Sequence, residues 1–205
     1  MRYRKRTIPH HIDVWCKYDR QLYSRVVKDR WNPYTEEPIE NVGEYCYLMR
    51  KVVNNDISRV LSTYEILNNF PRVIIFYNFD YELERIKTNL EGLTILDEEV
   101  VVAEWNGHRH EEIPTSNRWA YLVQYNSGAE GWNCIETNAI IFYSQNYSYS
   151  MTHQAAGRID RLNTPYVDLY YYNLFSDAPI DKAIRACIKK KKVFNEANWL
   201  RDGHF

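Results

Sequence analysis

The sequence predicts an α/β fold: a mainly parallel sheet flanked by helices, preceded by a mainly helical N-terminal segment. Three observations carry this. Val73-Ile-Ile-Phe-Tyr77 and Ala139-Ile-Ile-Phe-Tyr143 are continuous apolar runs, the pattern of strands buried on both faces. From Phe70 onward such runs alternate with amphipathic stretches, and strand–helix–strand alternation implies parallel pairing. Before Phe70 the apolar spacing is chiefly helical. The chain divides accordingly into a lead-in of residues 1–69 and a domain of residues 70–205.

Taken in order, Ile12-Asp-Val-Trp-Cys16 is a short strand. Asp19 to Arg30 is a helix with Leu22, Val26 and Val27 as its apolar stripe. Asn32-Pro33 and Glu37-Pro38 break it and leave residues 31–43 as a loop. Glu44 to Val53 and Ser58 to Asn69 are helices, with Asn54-Asn55-Asp56 as boundary and cap. Tyr81 to Glu91 follows the first buried run as a helix closed by Gly92. Val100 to Trp105, Tyr121 to Tyr125 and Val167 to Tyr172 complete the strands. Tyr149 to Arg158 is taken as helical, and Pro179 to Phe194 as a final helix with Pro at its start.

Composition narrows the function classes. Of 205 residues 45% are hydrophobic and 26% charged, with a formal net charge of -1, so any nucleic-acid contact has to be local rather than global. Cys16, Cys46, Cys134 and Cys187 form no C-x-x-C pair, which argues against a zinc site or disulfide framework and for reduced thiols. His10-His11 and His108-Arg109-His110 lack matching Cys or carboxylate spacing, so no metal site is expected. Met1 to Arg6 is basic, but no apolar segment follows, and no window has the length of a membrane span. A cytoplasmic protein without a membrane partner is the expectation.

In parallel α/β sheets ligands gather beyond the carboxyl ends of the strands, which selects the loops after residues 77, 105, 125, 143 and 172. The loop Asn126-Ser-Gly-Ala-Glu-Gly-Trp-Asn133 is a polar, glycine-bearing turn whose N–H groups can face an anion. Gln154-Ala-Ala-Gly-Arg-Ile-Asp-Arg161 is more specific. If the helix runs through Arg158, then Gln154, Arg158 and Arg161 fall four and three residues apart on one face. Two guanidiniums, each a planar fork of donors, suit a phosphate. Gly157 would let a ligand or backbone come close there. For an isolated pair of arginines, an exposed helix pairing with Asp160 is the plainer reading.

Together these loops resemble the second RecA-like lobe of a superfamily 2 helicase or translocase, most similar to the Swi/Snf-like and phage-encoded DNA helicases. Gln154 to Arg161 matches motif VI, Q-x-x-G-R-x-x-R, at every fixed position. Ser127 to Asn133 resembles motif V, Pro71 to Phe79 motif IV, and Asn106-Gly107 the small turn between them. The resemblance runs from about Phe70 to Phe175, and residues 8–30 are similar to the lead-in such proteins place between lobes.

What the resemblance implies is a division of labour. Arg161 would be an arginine finger for the γ-phosphate of ATP, Arg158 a second phosphate or bridging contact, and Gln154 a holder of phosphate or attacking water. Gly157, Glu130 and Gly131 would sit by the nucleotide, with Asn133 on its ribose side or coupled to motif VI. Ser127, Tyr77, Asn78, Asn106 and Arg109 would line a nucleic-acid face, DNA being the expected partner. Lys189 to Lys192 is better read as a solvated helix end. No G-x-x-x-x-G-K-[ST] loop and no D-E-x-H or D-E-A-D motif occurs, and Asp97-Glu98-Glu99 does not end an apolar strand. The groups for Mg²⁺ and the β-phosphate are therefore expected on a first lobe, in a longer chain or in trans. The competing class is a non-catalytic nucleic-acid-binding or scaffold module, which would have no need of Gln154, Arg158 and Arg161 together.

Overall fold

The computed structural model describes residues 6–127 and 132–203. Its centre is a six-stranded sheet built from β1 (Ile8–Trp15), β2 (Arg72–Tyr77), β3 (Val101–Trp105), β4 (Trp119–Gln124), β5 (Ala139–Phe142) and β6 (Asp168–Phe175). The spatial order is β1-β6-β5-β2-β4-β3, and every pairing is parallel. The helices are α1 (Arg20–Asp29), α2 (Val42–Asn54), α3 (Ile57–Asn69), α4 (Asp80–Leu90), α5 (Tyr149–Ala156), α6 (Pro179–Lys189) and α7 (Glu196–Arg201). The expected α/β RecA-like architecture is thus the one observed.

The continuous apolar runs explain why the sheet is covered on both faces. Val73, Ile75 and Tyr77 of β2 point into one core with Leu67 of α3 and Ile86 of α4. Ile74 and Phe76 point into the opposite core with Ala155 of α5 and Ile159. A third cluster packs α1, α2, α6 and α7 through Val26, Met49, Ile184 and Trp199. The lead-in is sewn to the sheet by Arg59, which has no exposed surface. Its Nη1 donates to Tyr143 O at 2.5 Å and Leu174 O at 3.0 Å, just past β5 and at the end of β6. Its Nη2 donates to Asp181 Oδ2 on α6 at 2.8 Å, so the buried charge is paired and its donors are occupied.

Several element boundaries differ from expectation, each for a local reason. The first strand begins at Ile8, because its N-terminal half pairs along β6, with His10 stacked on Tyr170 at 4.9 Å. Residues 31–43 contain a two-stranded ribbon, Trp31–Asn32 with Glu37–Pro38, rather than a plain loop. Asp97-Glu98-Glu99 belongs to a second ribbon, Thr94–Ile95 with Glu98–Glu99, turned by Leu96 and Asp97 at φ 51° and 62°. The last helix stops at Lys189, where Lys191 takes φ 56°, and Asn195 caps a separate α7.

Candidate functional site

The Gln154–Arg161 motif begins on α5. Ser148 caps that helix, its hydroxyl accepting from Met151 N at 3.4 Å. The helix ends at Ala156, not Arg158 as expected, and Arg161 lies beyond it. The three side chains therefore do not share one helical face. Gly157 N–H donates to His153 O at 3.1 Å, and a Cβ at Gly157 would meet Gln154 O at 3.3 Å, so the bare glycine eases a tight exit. α5 crosses back from the carboxyl end of β5, which brings Asp160 to Thr7, just ahead of β1. The motif's arginines thus sit at the far end of α5 from the strand-end loops.

Arg158 is buried at 8% exposure. Its Nη1 donates to Trp132 O at 2.9 Å, its guanidinium lies 5.4 Å from the Trp132 ring centroid, and its carbonyl accepts from Cys134 N at 3.1 Å. The motif is thereby laced to the far side of the 126–133 loop. Burial lowers the Arg158 pKa first, and the positive charge of Arg161 lowers it further. Arg161 has a buried Nε with no hydrogen-bond partner among the described residues. Gln154 and Asn133 are exposed, and Gly157 is half-buried. The unanswered Arg161 donor is one that an anion would satisfy. Glu130 and Gly131 lie outside the described residues.

The strand-end loops are arranged differently. Tyr77 has no exposed surface and packs in the core, so its side chain cannot line a nucleic-acid face, contrary to expectation. Burial raises its hydroxyl pKa, with Asn106 opposing the rise. Asn78 donates from Nδ2 to Ser144 Oγ at 2.7 Å and Gln145 O at 3.1 Å, and its Oδ1 accepts from Asn146 at 2.8 Å. Asn106 is buried; its Oδ1 accepts from His108 N at 2.9 Å and Arg109 N at 3.0 Å, and its Nδ2 donates to Glu104 at 3.2 Å. Both amides are turn-builders with donors and acceptors already engaged. Ser127 Oγ lies 3.9 Å from where a Gly107 Cβ would stand, so the structure does bring these two turns together. Arg109 is 62% exposed and pairs at 3.2 Å with Glu104, which is itself buried and also paired with Lys87 at 3.2 Å.

The sequence reading gave Trp132 no role, although it supplies both a carbonyl and a ring face to Arg158. It also missed Glu82, fully buried, which accepts from Asn78 N at 2.7 Å, Ser144 Oγ at 3.0 Å and Asn54 Nδ2 at 2.7 Å. Its signal was weak: an acid in the first turn of a helix. Burial pushes the Cys46 and Cys134 thiols up to about 12, which keeps both protonated and unreactive at neutral pH. No helix among the described residues is long and apolar enough to cross a membrane.

No protein-family model and no curated protein matches the sequence. Solved structures do match its shape. The crystal structure of the C-terminal part of the Fun30 ATPase domain superposes with a TM-score of 0.73 at 11% identity, covering 95% of this chain and 96% of that one. The Sulfolobus solfataricus SWI2/SNF2 ATPase core, solved in complex with double-stranded DNA, gives 0.64 at 16% identity over 89% of this chain. This chain spans 44% of that second structure. At such identities the likeness is one of fold: an α/β RecA-like lobe of the kind that forms the C-terminal part of Snf2-type ATPase domains.

Proposed function

We propose that this chain is the second lobe of an ATP-dependent DNA helicase or translocase, with Arg161 as its arginine finger. The observation that carries the proposal is the Arg161 Nε, buried without a hydrogen-bond partner among the described residues, in a segment that matches Q-x-x-G-R-x-x-R at every fixed position. An oxyanion would answer that Arg161 donor. A forked guanidinium placed there neutralises charge spreading over the γ-phosphoryl oxygens, and Arg158, anchored on Trp132, holds the neighbouring backbone in place. Gln154 and Asn133 are both exposed and are assigned to the same nucleotide by the proposal. The sequence has no G-x-x-x-x-G-K-[ST] loop, and the proposal leaves Mg²⁺ and the β-phosphate to the other lobe. DNA contacts fall to Ser127 and Arg109 at the strand ends, with Asn78 and Asn106 shaping the turns. A cytoplasmic setting belongs to the same proposal.

The reading is tested in protein that carries this lobe together with its phosphate-loop lobe. Arg161→Ala is expected to lower kcat for DNA-stimulated ATP hydrolysis by about three decades or more, with DNA affinity within about twofold of the parent. A parallel loss of DNA affinity would make Arg161 a backbone contact and end the proposal. Residues 1–205 alone are expected not to hydrolyse ATP, and DNA-stimulated turnover lost on Arg161→Ala in that chain would contradict this.

A further inference from the structure

On the other face of the sheet from α5, a cavity of about 350 Å³ opens between α2, α4 and the tip of the Trp31–Pro38 ribbon. Its size falls in the range of small-ligand pockets, about 300–1,000 Å³. Lys51 and Asn55 line it from the end of α2, Tyr81, Glu84 and Arg85 from α4, and Tyr34 from the ribbon tip. Two of its polar atoms are buried without hydrogen-bond partners: the acceptor Asn55 Oδ1 and the donor Arg85 Nε. The Lys51 ammonium lies 4.3 Å from the Tyr34 ring centroid and 5.8 Å from that of Tyr81.

The wall is held in place rather than draped. Asn32 is buried, accepts from Tyr34 N at 3.0 Å and Thr35 N at 3.3 Å, and donates to Glu44 on α2 at 3.1 Å. That fixes the turn which presents Tyr34, itself 42% exposed. Each unanswered buried polar atom costs on the order of 1–3 kcal/mol, so a ligand that supplies both a donor and an acceptor gains from binding here. A bare anion would answer Arg85 and Lys51 but leave Asn55 Oδ1 unsatisfied. A planar base bearing an N–H and carrying a phosphate answers all three, with the Lys51 ammonium drawn from over the Tyr34 ring onto the phosphate.

The geometry points to a nucleotide-binding site here, with a phosphate on Lys51 and Arg85 and a base lying on Tyr34 and donating to Asn55 Oδ1. Glu84, exposed at the rim, disfavours a ligand with more than one or two negative charges. The nucleotide unit can come from free mononucleotide or from an unpaired stretch of nucleic acid, where aromatic stacking beside cations is sequence-tolerant. The site is remote from Arg161 and does not rest on the ATP reading.

Calorimetric titration of residues 1–205 with AMP, with inorganic phosphate and with a short oligo(dA) tests it. AMP should saturate the chain more tightly than phosphate, and Asn55→Ala and Lys51→Ala should each weaken AMP about tenfold or more. Arg161→Ala should leave that affinity unchanged, which separates this site from the arginine pair. Urea midpoints near the parent's establish that both variants fold, and Asn55→Ala, which removes a side chain with no internal bond to its acceptor, carries the test if Lys51→Ala does not. Oligo(dA) weakened by the same variants assigns the strand as source; AMP alone responding assigns free nucleotide. AMP binding no tighter than phosphate, binding indifferent to both variants, or no saturation by millimolar AMP overturns the proposal.

Discussion

The two regions singled out by motif stand in opposite electrostatic and hydrogen-bonding states. At the strand ends, Asn78 and Asn106 have every side-chain donor or acceptor group engaged internally, and Tyr77 is sealed in the core. Beyond the far end of α5, Arg161 keeps a buried donor with no partner among the described residues, and its charge lowers the pKa of Arg158 after burial does. The satisfied amides fix a shape, while the Arg161 donor, like the Tyr77 hydroxyl, is buried without a partner among the described residues. The two amides are therefore turn-building scaffold, whereas under the proposal above Arg161 is itself the contact.

That contrast can be broken by experiment. The largest effect expected is the loss of about three decades in kcat on Arg161→Ala, and Arg161→Lys should restore little of it, because a point charge does not reproduce the fork. Next comes Glu82→Ala, which strands the Asn78 N–H, the Ser144 hydroxyl and the Asn54 amide. At about 1–3 kcal/mol for each orphaned group, a loss of about 3 kcal/mol or more in urea denaturation is expected, and a change below about 1 kcal/mol would show the strand-end network to be ornamental. Arg109→Ala should leave stability within about 0.5 kcal/mol but reduce the salt slope of DNA binding by about one. Smallest is Tyr77→Phe: the hydroxyl is buried, so DNA affinity should not move, and a measurable loss would return Tyr77 to the nucleic-acid face.

Much of the fold was legible because the strands are covered on both faces. Val73 to Tyr77 and Ala139 to Tyr143 leave little choice but buried parallel strands, and α2, α3 and α4 carry clean apolar stripes. What escaped were features that depend on tertiary partners. Nothing in Ile8-Pro-His-His shows that β6 lies alongside to pair with it, and nothing in the run of Lys189 to Lys192 marks a left-handed residue at Lys191. In the Gln154–Arg161 motif, periodicity carried the helix two residues too far, to Arg158 instead of Ala156. Trp132 as the platform for Arg158 and Glu82 as the hub under Asn78 are contacts across 26 and 4 residues that spacing alone does not announce.

The place of β1 has a consequence for how the protein behaves when cut. It is an edge strand, and over eight residues it covers β6, whose Tyr170, Tyr171 and Tyr172 would otherwise border open backbone. Arg59 would be lost with the same segment, baring the carbonyls of Tyr143 and Leu174. A version trimmed to residues 70–205 would therefore present a long aromatic strand with unpaired N–H and C=O groups, a template for joining other copies edge to edge. Such a trimmed version is expected to aggregate where the full chain does not, which light scattering of the two would show.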